Sequence, residues 1–193
     1  MKNNISNLRS LKEKNNRFCV IAAYDASMTT AINSAEIEVI LVGDSLGMLF
    51  QGHENTLPVT LDQMIYHTES VCRANRLSKK PALIISDLPF MSYDNEEKAL
   101  DSAAKLIRAG ANMVKLEGGS WLSPIIKKLT ILGIPVCGHI GLTPQSVNKL
   151  GGFKVQGKNK IQKKELIEDA KELELAGADF IVLECIPAEL AKS

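Results

Sequence analysis

Five short, mostly apolar stretches decide the fold, and each ends in a residue with an ionisable side chain. They are VILVGD (39–44), ALIISD (82–87), MVKLE (113–117), IPVCGH (134–139) and FIVLE (180–184). Their last residues are Asp44, Asp87, Glu117, His139 and Glu184. Apolar runs of this length, each followed by a loop and a helical pattern, are typical of buried parallel strands. The sequence therefore predicts a parallel α/β barrel, whose chemistry lies at the carboxyl ends of its strands.

The alternation of strand and helix continues along the whole chain. Six strands are predicted, at residues 18–24, 38–44, 82–87, 112–117, 134–139 and 179–184. Helical patterns lie near residues 26–35, 60–77, 95–109, 121–132 and 162–176. We interpret residues 1–193 as a single domain of the (β/α)8 TIM-barrel type with about six of its eight βα units, since such barrels usually have about 250 residues. We expect a sheet with two open edges to be poorly soluble.

An internal repeat supports the βα alternation. AGANMVKLE (109–117) and AGADFIVLE (176–184) match nearly position for position. Each contains a glycine, Gly110 or Gly177, between a helical pattern and a strand. Glycine at this place is typical of the left-handed residue that ends a helix.

The alternation of side chains along a strand places Lys115 on the same face as Glu117. By the same count Asp44 shares a face with Ile40 and Val42. If the terminal acids point into the barrel, Lys115 does so too. Two interpretations remain open: a structural ion pair between Lys115 and Glu117, or a cation placed for an anionic substrate. Carboxylates that meet in one dry mouth need a counter-charge, most simply a divalent cation.

Two long loops follow the second and the fifth strand. Residues 45–60 and residues 140–160 both exceed the usual length of βα connections, and we expect lids or binding loops, or plain surface loops. Four lysines make the second loop basic, which alone is typical of a solvated face: Lys149, Lys154, Lys158 and Lys160.

Composition argues against several classes of protein. Of the 193 residues 45% are hydrophobic and 23% charged, and the net charge is +1, so nothing indicates nucleic acid or a membrane surface as a partner. The polar, basic residues 1–17 do not resemble a secretory signal. The cysteines Cys19, Cys72, Cys137 and Cys185 show no CxxC spacing, which predicts reduced core thiols in a cytoplasmic protein.

Six separated segments resemble the ketopantoate hydroxymethyltransferase family. They are VGDSLGM (42–48), QGHENTLPVT (51–60), SDLPFMSY (86–93), GANMVKLEGG (110–119), PVCGHIGLTPQSVNKLGGFKVQG (135–157) and VLECIPAELA (182–191). The resemblance implies a phosphoenolpyruvate/pyruvate-like barrel, a homo-oligomer and one Mg²⁺ per subunit. It implies transfer of a hydroxymethyl group from 5,10-methylenetetrahydrofolate to 3-methyl-2-oxobutanoate, giving 2-dehydropantoate in pantothenate biosynthesis.

The resemblance also implies roles for individual residues. The metal would be held or approached by Asp44, Asp87 and Glu117. The 2-oxo acid would be contacted by Asp44, Ser45, Asp87, Lys115 and His139. Glu184 would be the general base that removes the C3 proton, with the resulting enolate stabilised by the metal.

Two other functions remain open at this stage. A metal-dependent 2-oxo acid lyase or mutase of the same barrel superfamily would use a similar cluster of residues, but turnover would not depend on the folate. A non-catalytic remnant or interaction subunit is favoured by the small number of βα units. Dependence of turnover on methylenetetrahydrofolate separates these functions.

Overall fold

The computed structural model describes residues 3–193 and contains six parallel strands. They are β1 (Val20–Ala22), β2 (Val39–Val42), β3 (Leu83–Asp87), β4 (Met113–Glu117), β5 (Val136–Gly141) and β6 (Phe180–Glu184). The strands pair in sequence order, so that each crossover leads to the neighbouring strand. Within the described residues β1 and β6 each have one strand neighbour, and the sheet does not close. Six units of a parallel α/β barrel are therefore confirmed.

Within the described part of the chain, eight α-helices connect or flank the strands. They are α1 (Ile5–Glu13), α2 (Ala26–Ser34), α3 (Leu46–Leu49), α4 (Leu61–Asn75), α5 (Glu96–Ala109), α6 (Ser123–Ile131), α7 (Val147–Leu150) and α8 (Lys160–Leu175). Short 3₁₀ turns lie at Ser120–Leu122, Pro144–Ser146 and Leu190–Lys192. The five predicted helices are confirmed, and α1, α3 and α7 were not predicted. No helix within residues 3–193 is both long and apolar enough to cross a membrane.

Local sequence explains where the helices begin and end. The side chain of Thr60 accepts a hydrogen bond from the backbone of Gln63, and the side chain of Gln63 accepts one from Thr60 in return, which caps α4. Gly110 ends α5 with a left-handed backbone, and Gly177 adopts a left-handed backbone just after α8. The prediction from the internal repeat is confirmed at both glycines.

The sheet separates two apolar layers. The outer layer packs the strands against α4, α5, α6 and α8 and includes Ile40, Val42, Ile84, Val114 and Leu116. The inner layer lies at the amino ends of the strands and contains Leu8, Val39, Leu83, Ile85, Met113 and Cys137. Because Leu8 is fully buried there, α1 covers the amino end of the half-barrel.

Several predicted details are wrong. The first strand is shorter than residues 18–24, and β2 ends at Val42, so Asp44 lies in the turn after the strand. β5 continues beyond His139 to Gly141. Ile40 and Val42 face the outer helices, so sharing their face would have sent Asp44 away from the interior. Asp44 reaches the mouth because the chain turns after the strand has ended.

The prediction of core thiols is also wrong for two of the four cysteines. Cys72 and Cys137 are buried, whereas Cys19 and Cys185 are exposed.

Candidate active site

Five buried ionisable side chains meet at the carboxyl end of the sheet. Each is at most 5% exposed: Asp44, Asp87, Lys115, Glu117 and His139. We call them the mouth cluster. Buried charges are costly unless they are paired, and here acids and bases are interleaved. The structure thus brings together five of the seven predicted site residues, with Ser45 and Glu184 at the border of the cluster.

Lys115 supplies the positive charge at the centre of the cluster. Its Nζ lies 3.0 Å from Asp87 Oδ1, 3.6 Å from Glu117 Oε1 and 3.3 Å from His139 Nδ1. The ion pair predicted between Lys115 and Glu117 is therefore present, and Asp87 is a still closer partner. A counter-charge among the carboxylates was predicted most simply as a divalent cation, but this lysine provides one from within the chain.

Asp44 is fixed by contacts with the neighbouring strand and with a distant loop. Its backbone N–H donates to Asp87 Oδ2 at 3.1 Å. Its Oδ2 accepts a hydrogen bond of 2.8 Å from Gln145 Nε2. The two aspartates therefore form one unit at the centre of the mouth.

Gln145, which sequence reasoning missed, connects the loop after β5 to this unit. Its Nε2 also donates to the Leu88 carbonyl oxygen at 2.9 Å, and its Oε1 accepts from the Tyr93 hydroxyl at 2.5 Å. Its backbone N–H donates to Glu117 Oε2 at 2.9 Å. One amide residue thereby fixes two of the three buried carboxylates. The segment 135–157 contains this residue, but an uncharged amide gave no chemical signal of its own.

Ser45 belongs to a second chain of polar contacts. Its Oγ lies 2.9 Å from the Tyr24 hydroxyl. The Tyr24 carbonyl oxygen lies 2.7 Å from His67 Nδ1, which must donate because a carbonyl oxygen only accepts. His67 therefore has a buried structural role in positioning Tyr24, and Tyr24 in turn orients Ser45.

Glu184 reaches the mouth from the edge strand β6. Its side chain is 38% exposed, and its Oε2 lies 3.2 Å from His139 Nε2. Gly141 has a left-handed backbone with φ 91°, and a Cβ at this position would collide with the Glu184 carbonyl oxygen. Glycine is thus required for β5 and β6 to approach at their ends. His139 lies between Glu184 and Glu117. Its Nδ1 is 3.4 Å from Glu117 Oε1.

Burial and neighbouring charges shift the pKa values of the acids of the cluster in different directions. Burial raises the pKa of Asp44 to about 7, and the Asp87 carboxylate adds to the shift while Lys115 opposes it. Burial also raises the pKa of Asp87, although Lys115 opposes this. Burial alone would raise the pKa of Glu117, but the hydrogen bond with His139 and the charge of Lys115 outweigh it, and the pKa is lowered. Glu117 is therefore the most strongly ionised acid.

The pKa values of both bases of the cluster are raised, which favours their charged forms. Burial alone lowers the pKa of Lys115, but the charges of Asp87, Glu117 and Asp44 outweigh it and raise the pKa well above its usual value. Burial likewise lowers the pKa of His139, whereas hydrogen bonding to Glu117 and Glu184 produces a net raised pKa. An anionic ligand that enters the mouth thus meets a fixed positive charge.

The acids have the chemistry of a divalent cation site. Mg²⁺ prefers carboxylate oxygens, and Asp87 Oδ1 is a buried carboxylate oxygen whose partner is the Lys115 ammonium at 3.0 Å. Within residues 3–193, however, no three Asp, Glu, His or Cys side chains are arranged to hold a metal ion together, and the ammonium of Lys115 lies among them instead. The carboxylate oxygens that a cation would meet at this place belong to Asp44 and Asp87, with Glu117 on the other side of Lys115.

Comparison with known proteins identifies the family. Residues 2–193 match the ketopantoate hydroxymethyltransferases. The 3-methyl-2-oxobutanoate hydroxymethyltransferase of Marinobacter nauticus is 54% identical over 187 residues, covering 97% of this chain and 69% of the relative. The chain belongs to the ketopantoate hydroxymethyltransferase family. 3-Methyl-2-oxobutanoate hydroxymethyltransferase 2 of Hahella chejuensis is 54% identical over 188 residues, and the chain spans 70% of its length. The resemblance inferred from six segments is confirmed.

Solved structures confirm the barrel type for this family member. Phosphonopyruvate hydrolase in complex with oxalate and Mg²⁺ has a TM-score of 0.70 at 13% identity, with 95% of this chain and 63% of that chain covered. 2,3-Dimethylmalate lyase, a member of the PEP mutase/isocitrate lyase superfamily, has a TM-score of 0.68 at 18% identity, with 97% and 66% covered. At these identities the likeness concerns the fold alone.

Proposed function

We propose that this protein transfers a hydroxymethyl group from 5,10-methylenetetrahydrofolate to 3-methyl-2-oxobutanoate, giving 2-dehydropantoate in cytoplasmic pantothenate biosynthesis. One observation supports the proposal above all: the mouth cluster, with its buried lysine and paired acids, occurs in a chain that is 54% identical to a 3-methyl-2-oxobutanoate hydroxymethyltransferase. In the balanced reaction one C–C bond forms at C3 of the 2-oxo acid. The two bonds from the transferred carbon to the folate nitrogens break, and water supplies the hydroxyl oxygen.

Lys115 has the position and charge to bind the 2-oxo acid. It is buried, charged and within 3.0 Å of Asp87, so a carboxylate that enters the mouth meets the cation without having to desolvate it. The Ser45 hydroxyl, oriented by Tyr24 at 2.9 Å, would donate to the substrate oxygens. A divalent cation bound by Asp44 and Asp87, with Glu117 nearby, would supply Lewis-acid stabilisation of negative charge on the keto oxygen.

Glu184 is proposed as the general base. It is the acid at the border of the cluster, partly open to solvent, and it can therefore face the reacting carbon while Lys115, and a cation held by the buried acids, would face the substrate oxygens. Its Oε2 lies 3.2 Å from His139 Nε2, which places the carboxylate beside the buried cluster. The proton at C3 passes to Glu184 when the carbon nucleophile forms.

The test is exchange of the C3 hydrogen of 3-methyl-2-oxobutanoate with deuterated water, followed by NMR, together with turnover in the presence and absence of 5,10-methylenetetrahydrofolate. We expect Glu184→Gln to slow both about 10²–10⁴-fold, as is typical for loss of a general base. The control Glu165→Gln changes an exposed acid on α8 and should leave both unchanged. Exchange at the parental rate in Glu184→Gln would exclude Glu184 as the base.

The same assays separate the alternative functions. Turnover of a 2-oxo acid that does not require the folate would indicate a lyase or mutase. Absence of both exchange and turnover in the parental protein would indicate a non-catalytic role. Calorimetry tests the proposed metal residues, since Asp44→Ala should abolish metal-dependent binding of the 2-oxo acid, and unchanged binding would contradict that assignment.

A further inference from the structure

A small pocket opens directly beside the mouth cluster. It has a volume of about 220 Å³, and Glu117 and Gln145 form its inner end. The rest of its wall comes from the segment after β3, from the 3₁₀ turn after β4 and from Ser146 in the 3₁₀ turn after β5. Pockets for drug-sized ligands usually measure about 300–1,000 Å³, so this one holds a single ring system rather than a whole cosubstrate. We call it the aromatic pocket.

Large apolar side chains line the pocket although water reaches them. Trp121 is 59% exposed, Met91 50% and Phe90 43%. An exposed apolar cluster of this kind marks an interaction site more often than it stabilises a fold. Met91 also adopts a left-handed backbone with φ 61°, which strains a side chain other than glycine and is found preferentially at ligand sites.

The indole of Trp121 is held in one orientation. Its ring is nearly parallel to that of Tyr93, with 11° between the planes and 6.4 Å between the centroids. A Cβ at Gly118 would lie 2.7 Å from the indole, so the absence of a side chain there lets the ring lie against the backbone. A preorganised flat surface of this kind suits a planar heteroaromatic ring.

A second carboxylate, at the outer end of the pocket from Glu117, completes the wall. Asp94 lines the pocket just before α5; its only ion pair among the described residues is an exposed contact of 3.3 Å between Oδ1 and Lys98 in the first turn of α5, and the same Oδ1 accepts a hydrogen bond of 3.4 Å from Asn95. Its two oxygens only accept hydrogen bonds. They match a ligand edge with two adjacent N–H donors, such as the 2-amino group and ring N–H of a 2-amino-4-oxo-pteridine.

We propose that the aromatic pocket binds the pteridine ring of the reduced folate, stacked on Trp121 with its amino edge on Asp94. The proposal rests on the function proposed above, because it assigns a site to that reaction's cosubstrate. It accounts for the position of the pocket, since Glu117 and Gln145 belong both to the pocket and to the polar network of the mouth. A folate held there has its transferable carbon at the border of the two sites.

The first experiment replaces the stacking surface. Trp121→Ala is compared with the parental protein for affinity to 5-formyltetrahydrofolate by calorimetry, for the KM values of both substrates and for C3 hydrogen exchange without folate. We expect folate affinity to fall about tenfold or more, as for loss of a stacked ring, and KM for methylenetetrahydrofolate to rise equally. Exchange and KM for the 2-oxo acid should stay within about twofold, because the mouth cluster is untouched. Trp121→Phe, which keeps a flat ring, should recover part of the affinity.

The control for this variant is Ile131→Ala, which removes another exposed apolar side chain, 71% exposed at the end of α6. It should leave folate affinity unchanged. Parental folate affinity in Trp121→Ala overturns the proposal even if turnover depends on folate. A lower oligomeric state of Trp121→Ala in sedimentation analysis also overturns it, because the pocket is then an interface between copies of the chain.

The second experiment tests the carboxylate. Asp94→Asn offers one acceptor and one donor to a ligand edge with two donors, so folate affinity should fall about tenfold. Asp101→Asn is a matched control, because Asp101 forms the same exposed i,i+4 ion pair, with Lys105 at 2.7 Å, outside the pocket. Equal affinity of the two variants overturns the role of Asp94. The two proposals can fail separately. If folate binding depends on Trp121 but turnover does not depend on folate, the pocket assignment stands and the proposed function is wrong.

Discussion

The inward face of the sheet has two ends, formed by the same strands, that differ in polarity and charge. At the amino end it is apolar and covered by α1, with Leu8, Val39, Leu83, Met113 and Cys137 in contact. At the carboxyl end it carries the mouth cluster. Along β4 the change from apolar to charged occurs between neighbouring residues on the same face, since Met113 lies in the apolar layer and Lys115 in the cluster. The comparison shows that one layer holds the barrel together while the next is available for chemistry.

The thiol of Cys137 illustrates how sharp this boundary is. Burial raises the pKa of Cys137 to about 12, so the side chain stays neutral although His139 lies two residues further along the same face. The apolar layer suppresses charge, whereas the mouth cluster maintains charge by pairing. Substitutions in the two layers should therefore differ in whether they change stability, activity or both.

The largest effect is expected for Lys115→Met, which keeps the apolar stem but removes the charge. Asp87 and Glu117 lose their buried partner, and breaking a buried ion pair typically costs about 3–5 kcal/mol. Urea denaturation should show this loss of unfolding free energy, and calorimetry should show loss of 2-oxo acid binding. The matched change Lys105→Met in the exposed pair with Asp101 should cost less than about 1 kcal/mol. Normal substrate binding with only a stability loss would support a purely structural ion pair.

In the apolar layer, Leu8→Ala should affect stability alone. Leu8 is fully buried, and removing a buried leucine side chain costs about 2–5 kcal/mol with the cavity it leaves. We expect a lower urea midpoint but parental kcat and KM at a temperature where the variant is folded. A change in KM for the 2-oxo acid would show that the two layers are coupled.

An intermediate effect is expected for Gln145→Ala. The variant leaves Asp44 Oδ2 and the Tyr93 hydroxyl without the amide, and an unsatisfied buried polar group costs about 1–3 kcal/mol. Turnover should fall because Asp44 loses its orientation. Gln156→Ala in the same loop removes only a contact with the Lys154 carbonyl oxygen and serves as the control. Equal turnover in the two variants would contradict a positioning role for Gln145.

The smallest effect is expected for Arg9→Ala at the amino end. Arg9 pairs with Asp179, but its side chain is 62% exposed, and exposed ion pairs contribute about 0–1 kcal/mol. The loss of unfolding free energy should lie in that range and shrink further at high salt. A loss comparable with that in Lys115→Met would show that exposure does not decide the strength of ion pairs in this protein.

The sequence allowed much of this architecture to be predicted. Six strands and five helices were predicted correctly in type because apolar runs and helical patterns are local properties. Helix α1 was missed because its sequence is largely polar, and its anchor, Leu8 with Ile5 and Leu11 packed beside it, acts through contacts with distant strands. Strand ends were less accurate, since the turn after Val42 is decided by the contact between Asp44 and Asp87, 43 positions apart.

The ionisable residues of the candidate site were predicted from the sequence, but the hydrogen bonds that join them through Gln145 were not. Acids and bases at strand ends give a signal because parallel strands bring their carboxyl ends together. Gln145 gave none, because an amide is common on surfaces and acquires its role only through its partners. The contact between Gln145 and Asp44 joins residues 101 positions apart and depends on how the sheet curls.

By itself, then, the sequence determined the order of the βα units, the family and the ionisable residues of the mouth. The order of the units follows from covalent order, the family from the six matching segments, and the shared face of Lys115 and Glu117 from the period-two alternation along β4. Only the tertiary structure decided that Lys115 neutralises the buried acids, that Asp44 enters from a turn and that an aromatic pocket adjoins the cluster. Those outcomes depend on distances between segments remote in sequence, where burial makes pairing between charges obligatory.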